Sequence, residues 1–227
     1  MVSLITDGSS TDAGGRPFRR RRAVPVIALI AVLAVLGGVL WVRILTEPEA
    51  YATTVDCNPP VMPKAPDAPT PQPPGEVMSR DTLLDVQPAP LSATKVRVFN
   101  ANGERGQAAD VATQLRDYGF ASAPDVQVGN DPVYVDQNLQ CHGQIRFGAA
   151  GTAAASALWL VAPCAELVQD ARPDDTVDLA LGTYFAKSIT PNADAEEVLS
   201  ALKDAVPSST PAPLDPGLLS AARTARC

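Results

Sequence analysis

Catalytic equipment is what this chain most lacks. Among 227 residues there is one histidine, His142, and no Gly-x-Ser-x-Gly nucleophile motif, so the usual nucleophile and base arrangements of hydrolases are not written in it. The Walker spacing with its Lys-Ser/Thr pair is missing as well, which argues against a nucleotide-phosphate loop. The four cysteines, Cys57, Cys141, Cys164 and Cys227, include no C-x-x-C pair, and with a single histidine they make no usual zinc set. No metal and no cofactor are expected. Adjacent carboxylates, Asp174-Asp175 and Glu196-Glu197, point in different directions from a loop or a helix and are read as solvated groups rather than an acid/base pair. His142 is likewise read as non-catalytic, and the chain is expected not to be an enzyme.

What the chain has instead is one long uncharged run. Ala23 to Val42 is twenty residues of mainly Ala, Val, Leu and Ile. As a helix it would be about 30 Å long, the thickness of a bilayer core. Five arginines, Arg16 and Arg19 to Arg22, precede it and only Arg43 follows closely, so the charge bias places the N-terminus in the cytoplasm. A cleaved signal peptide is the competing reading. It is disfavoured because the run is longer than a signal core and Arg43-Ile-Leu-Thr-Glu-Pro48 offers no small-x-small cleavage site. Gly37-Gly38 is read as ordinary membrane-helix sequence rather than a helix contact. The expected layout is a basic cytoplasmic tail at 1–22, a transmembrane helix at 23–45, a proline-rich extracytoplasmic linker at 46–90, one domain at 91–207 and a C-terminal tail at 208–227.

Beyond the first 22 residues, with their five arginines and two aspartates, there remain 13 basic and 23 acidic residues. Such an acidic surface disfavours nucleic acid as a partner, because phosphate affinity comes from clustered Lys and Arg. All four cysteines fall on the outer side, where disulfides persist. Cys141 is expected to pair with Cys164, both being inside the domain, leaving Cys57 and Cys227 to tie linker to tail. Free thiols, or an intermolecular bridge through Cys227, are the alternatives. Nothing in the pattern sets an oligomeric state.

Within the domain, Lys95-Val-Arg-Val-Phe-Asn100 alternates as a strand does, and Ala108, Val111, Ala112 and Leu115 make the stripe of a helix from Gln107 to Tyr118. Gly119 should end that helix in the left-handed conformation. One or two short strands are expected between Asp125 and Val135, another at Gln144–Phe147, an Ala-rich helix from Thr152 to Val161, and a strand within Thr176–Phe185. A last helix is predicted from Asp194 to Val206, started by an Asp194/Glu197 capping box and stopped by Pro207. This order describes an α+β sandwich, a small sheet covered by helices.

The most suggestive local feature is Asn100-Ala-Asn-Gly-Glu-Arg-Gly106, joining the first domain strand to a helix N-terminus. Asn100, Asn102, Gly103 and Gly106 are the candidate ligand-binding residues. Free amides at a helix start favour an anion, and the glycines would let a phosphate approach; a purely structural turn is the plainer reading.

The segment Val96 to Phe120, strand, Asn-containing turn, Gly-Ala helix and Gly-Phe, resembles the opening of the LytR C-terminal domain. Ile145-Arg-Phe147 and Leu179-Ala-Leu-Gly182 are similar to its central and closing strands, so the likeness covers about half the chain. The whole layout is similar to that of actinobacterial envelope proteins. The resemblance implies a part in maintaining the cell envelope, a contribution to virulence, a cell-wall component or envelope-building protein as partner, and no catalysis. Some relatives carry the domain on a LytR-CpsA-Psr phosphotransferase; that catalytic domain has no counterpart in this chain, and its activity is not carried over.

Overall fold

The computed structural model describes residues 24–46, 56–62, 70–205 and 213–224, with the side chains of the first segment described over 25–38. The chain forms two compact units, Met1–Ala50 and Tyr51–Cys227. In the first, α1 (Val24–Thr46) is a 23-residue helix. Its apolar side chains are bare on every side: Val26, Ile27, Leu29, Ile30, Val32, Leu33, Val35 and Leu36 are each 55–65% exposed. Among the described residues no helix is long and apolar enough to cross a membrane; the anchor expected at 23–45 falls on α1, whose side chains are described over 25–38.

The second unit is a mixed seven-stranded sheet with helices. In chain order it runs β1 (Glu76–Met78), α2 (Asp81–Leu84), a 3-10 turn at Leu91–Ala93, β2 (Lys95–Asn100), α3 (Gln107–Tyr118), β3 (Ala121–Ser122), β4 (Val128–Asn130), β5 (Gly143–Phe147), α4 (Thr152–Leu158), β6 (Glu166–Gln169), β7 (Val177–Leu181), α5 (Ala193–Lys203) and α6 (Pro216–Ala222). The spatial order is β1-β6-β5-β7-β2-β3, with β4 also on β2. Both β2 to β4 and β5 to β6 are parallel and are bridged by a helix, whereas β5 and β7 are antiparallel.

Side-chain alternation sorts the two faces. Val96 and Val98 of β2, Ile145 and Phe147 of β5, and Val177, Leu179 and Leu181 of β7 share one core with Val111 and Leu115 of α3, Leu158 of α4, Val198 and Leu202 of α5 and Leu219 of α6. The helices thus cover one face. The opposite face carries charge: Arg97 meets Asp178 at 2.5 Å, Arg172 reaches the same carboxylate at 2.6 Å, and Arg146 pairs with Asp131 at 2.7 Å. α3 ends as its sequence predicts, at Gly119 with φ 111°. α5 starts at Ala193, capped by the Asn192 side chain accepting from the Ala195 amide at 2.7 Å, rather than by the expected Asp194/Glu197 box.

Two segments expected to lie outside the domain, the linker at 46–90 and the tail at 208–227, contribute to the unit. The linker lies along the charged face: Asn58 accepts from the Tyr134 hydroxyl at 2.5 Å and from the Gln140 amide at 2.6 Å, and donates to the Asn138 carbonyl at 2.9 Å, while the Gln72 amide donates to Pro132 at 2.8 Å. It then enters the sheet as β1. The segment expected as a C-terminal tail contributes α6, begun by Asp215 accepting from the Leu218 amide and by Pro216 at the first turn. Leu219 and Ala222 of α6 are buried in the main core.

The expected cysteine pairing is corrected. Cys141 is bonded to Cys57, across 84 residues of sequence, and not to Cys164. The reason is facial: Cys141 is buried with Ala101, Val133, Tyr134, Leu139 and Ala180 in a small second cluster, against which Cys57 packs as the linker crosses. Cys164 instead follows α4, which belongs to the helix face. Cys57 is therefore not the partner of Cys227, which lies outside the described residues; Cys164 is itself disulfide-bonded.

Candidate binding site

The Asn100–Gly106 turn sits where β2 ends and α3 begins. Its backbone needs two left-handed residues, Gly103 at φ 78° and Gly106 at φ 86°, a conformation that glycine adopts without a Cβ penalty. The asparagines are committed. Asn100 Oδ1 accepts from the Ala108 amide at 2.9 Å, supplying the first turn of α3 with the side-chain cap that Gly106 cannot give. Asn102 Nδ2 donates to Gln107 Oε1 at 2.7 Å and to the Gly182 carbonyl at 2.9 Å, and its Oδ1 accepts from the Glu104 amide. Of the four candidate residues, the two side chains thus stitch the turn to α3 and to the end of β7, and the two glycines shape it. What the turn leaves to solvent is Gly103, Glu104, Arg105 and Gly106, all exposed.

The other sequence candidates do not converge there as a catalytic set. Cys141, beside His142, is consumed in the disulfide. Asp174 accepts from the amide and hydroxyl of Thr176, which hold its carboxyl below the usual carboxylate range, while Asp175 pairs with Lys95 at 2.9 Å on the surface. Glu196 and Glu197 face solvent from α5.

His142 does come to this end of the sheet, in company the sequence reading missed. Its ring lies 6.2 Å from that of Tyr184, tilted by 59°. Tyr184 lies just past β7, two residues after Gly182, whose carbonyl Asn102 holds. The available signal was the aromatic pair Tyr184-Phe185 closing the segment expected to hold the last strand. Against the charged face, burial pushes the Tyr134 phenol above its ordinary value, and that hydroxyl serves to hold the linker at Asn58.

Residues 93–185 match the family described as LytR cell envelope-related transcriptional attenuator, the LytR C-terminal domain. Across its whole length the chain is 49% identical to the cell envelope integrity protein Cei of Mycobacterium tuberculosis, covering 100% of both proteins. The chain belongs to the Cei family. A crystal structure of the soluble domain of a conserved hypothetical secreted protein from Mycobacterium marinum is similar as well, at 49% identity and a TM-score of 0.60, covering 69% of this chain and all of that one. The matched LytR C-terminal region begins just before β2 and ends at Phe185, so β1, α2, α5 and α6 are additions that this Cei-family chain packs around it. The turn, His142 and Tyr184 all fall inside the matched region.

Proposed function

We propose that this Cei-family protein is a non-enzymatic, single-pass membrane protein whose extracytoplasmic domain supports envelope integrity by binding a wall component or a wall-building protein, and in a pathogen thereby contributes to virulence. The observation that carries the reading is the Cys57–Cys141 disulfide. A disulfide this close in sequence to α1 belongs on the oxidising side of a membrane, which agrees with a relative described as secreted. The bare apolar side chains of α1 support the anchor: water tolerates such a helix poorly, and lipid is the solvent that suits it. The five arginines before α1 then stay inside.

The test is crosslinking in living cells from the exported domain, read by mass spectrometry beside a control carrying only residues 1–50. Wall fragments or envelope-building proteins recovered with the full chain and not with the control are the expected result; identical recoveries would reject a binding role.

A rival ligand is a lipid-linked or glycan phosphate on the Asn100–Gly106 turn. The positive end of α3 and the exposed Arg105 favour it. It predicts chemical-shift changes at Gly103 to Ala108 when polyprenyl phosphate is added, and unmoved amides there would reject it.

A further inference from the structure

Tyr184 is the one aromatic among the large apolar side chains exposed in the described residues, at 55%. Its backbone cannot easily yield. The Tyr184 amide donates to the Cys141 carbonyl at 3.0 Å, Gly182 to His142 at 3.1 Å, and Thr183 to Leu139 at 2.8 Å, with the Thr183 hydroxyl on the same oxygen at 3.0 Å. The opposing segment before β5 is in turn fixed covalently through Cys141 to Cys57. At Gly182 the two segments pass so closely that a Cβ would stand 2.1 Å from the Cys141 carbonyl oxygen. An exposed ring on so fixed a base loses little conformational freedom when something stacks on it.

The surroundings say what that something is. A protein-binding hot spot is an aromatic anchor set among further apolar contacts that exclude water. Tyr184 is framed instead by hydrogen-bonding groups: exposed Thr183, the tilted His142 ring, and the turn carrying exposed Glu104 and Arg105, which Asn102 binds to Gly182 and Gln107 binds to the Phe185 carbonyl. An apolar face ringed by donors and acceptors of both charges matches a pyranose, which has a C–H face and a rim of hydroxyls. It matches a polyanion poorly, since beyond its first 22 residues the chain is strongly acidic.

We propose that Tyr184 forms the stacking floor of a glycan-binding site beside the tilted His142 ring, with exposed Glu104 and Arg105 of the neighbouring turn hydrogen-bonding the sugar hydroxyls. This deepens the wall-binding reading and rests on it. The test is calorimetric titration of the full chain in detergent micelles with oligosaccharides of N-acetylglucosamine, a neutral glycan chain, with polyprenyl phosphate as a second arm. Binding of the glycan is expected, weakened about tenfold or more by Tyr184→Ala, in line with loss of one stacked ring, and within about twofold of the original for Tyr184→Phe. Tyr184 lies at the surface, so Tyr184→Ala should keep the circular dichroism of the parent. Unchanged affinity in Tyr184→Ala would overturn the site, as would polyprenyl phosphate binding with no glycan binding, or no binding at all. In those cases the in-cell crosslinks decide separately whether the broader wall-binding reading survives.

Discussion

Arg146 and Asp131 are the most deeply buried ion pair described, with side chains 3% and 0% exposed. Every nitrogen and oxygen of the pair has a partner: Asp131 takes Arg146 Nη1 at 2.7 Å and the Val133 and Tyr134 amides at 2.8 and 2.6 Å, while Arg146 Nε and Nη2 share Gln144 Oε1. Such a pair adds little over a well-packed apolar pair, yet losing one partner strands a charge. Asp131→Ala should therefore lower stability by about 3–5 kcal/mol in urea titrations, and Asp131→Asn combined with Arg146→Met, which keeps an oxygen for the two amides, by much less. Equal losses in both variants would contradict this reading. A second prediction concerns acid. Burial pushes the Asp170 carboxyl up, but hydrogen bonds and charge from Arg172, with Arg97, hold it below its usual range, and Thr176 does the same for Asp174. A depressed carboxylate stabilises the fold fully above its unfolded pKa of about 3.9, and that contribution is lost as pH falls through the lower folded value. The urea midpoint should fall below about pH 4, less steeply in Asp170→Asn; an unchanged slope would count against Asp170.

At the scale of elements, α6 is the test of what belongs to the domain. Leu219 is 1% exposed in the main core, and the neighbouring Arg223 donates to the Leu83, Leu84 and Val86 carbonyls and to Ser156, with its guanidinium 5.2 Å from the Trp159 ring centroid. Leu219→Ala should cost about 2–5 kcal/mol; a loss under about 0.5 kcal/mol would return the segment to the status of a tail. The elements legible in the sequence are those whose signal is local. β2, α3 and its Gly119 stop were readable from alternation, an i, i+3, i+4, i+7 stripe and a glycine. β5, α4, β7 and α5 were readable in kind, with ends a few residues off. β1, β6 and α6 were not, because each is short and owes its structure to tertiary contact: among the described residues β1 pairs only with β6, and α6 follows a proline-rich stretch that masks it although Asp215-Pro216 is a good start signal. The pairing of Cys57 with Cys141 was out of reach for the same reason, since it depends on the linker crossing the sheet. The Asn100–Gly106 turn was located correctly, but that its asparagines are spent on Ala108 and Gly182 is a fact of packing.

For the whole molecule, the linker is not a free stalk. The disulfide that fastens it closes a loop of more than eighty residues, which the chain-entropy account values at about 4.5 kcal/mol. A non-reducing peptide map should join the Cys57 and Cys141 peptides; reduction should lower the melting temperature by roughly 10–20 °C, at about 2–4 °C per kcal/mol lost for a unit of this size. A Cys141–Cys164 peptide would contradict the fold described. The proposed function depends on which side of the membrane this module occupies. Alkaline phosphatase, which needs an oxidising compartment to form its own disulfides, and a fluorescent protein that matures only in the cytosol can each be fused after Cys227. Active phosphatase and a dark fluorescent fusion are predicted; a bright cytosolic fusion with inactive phosphatase would contradict the anchor, its orientation and the wall-binding role together.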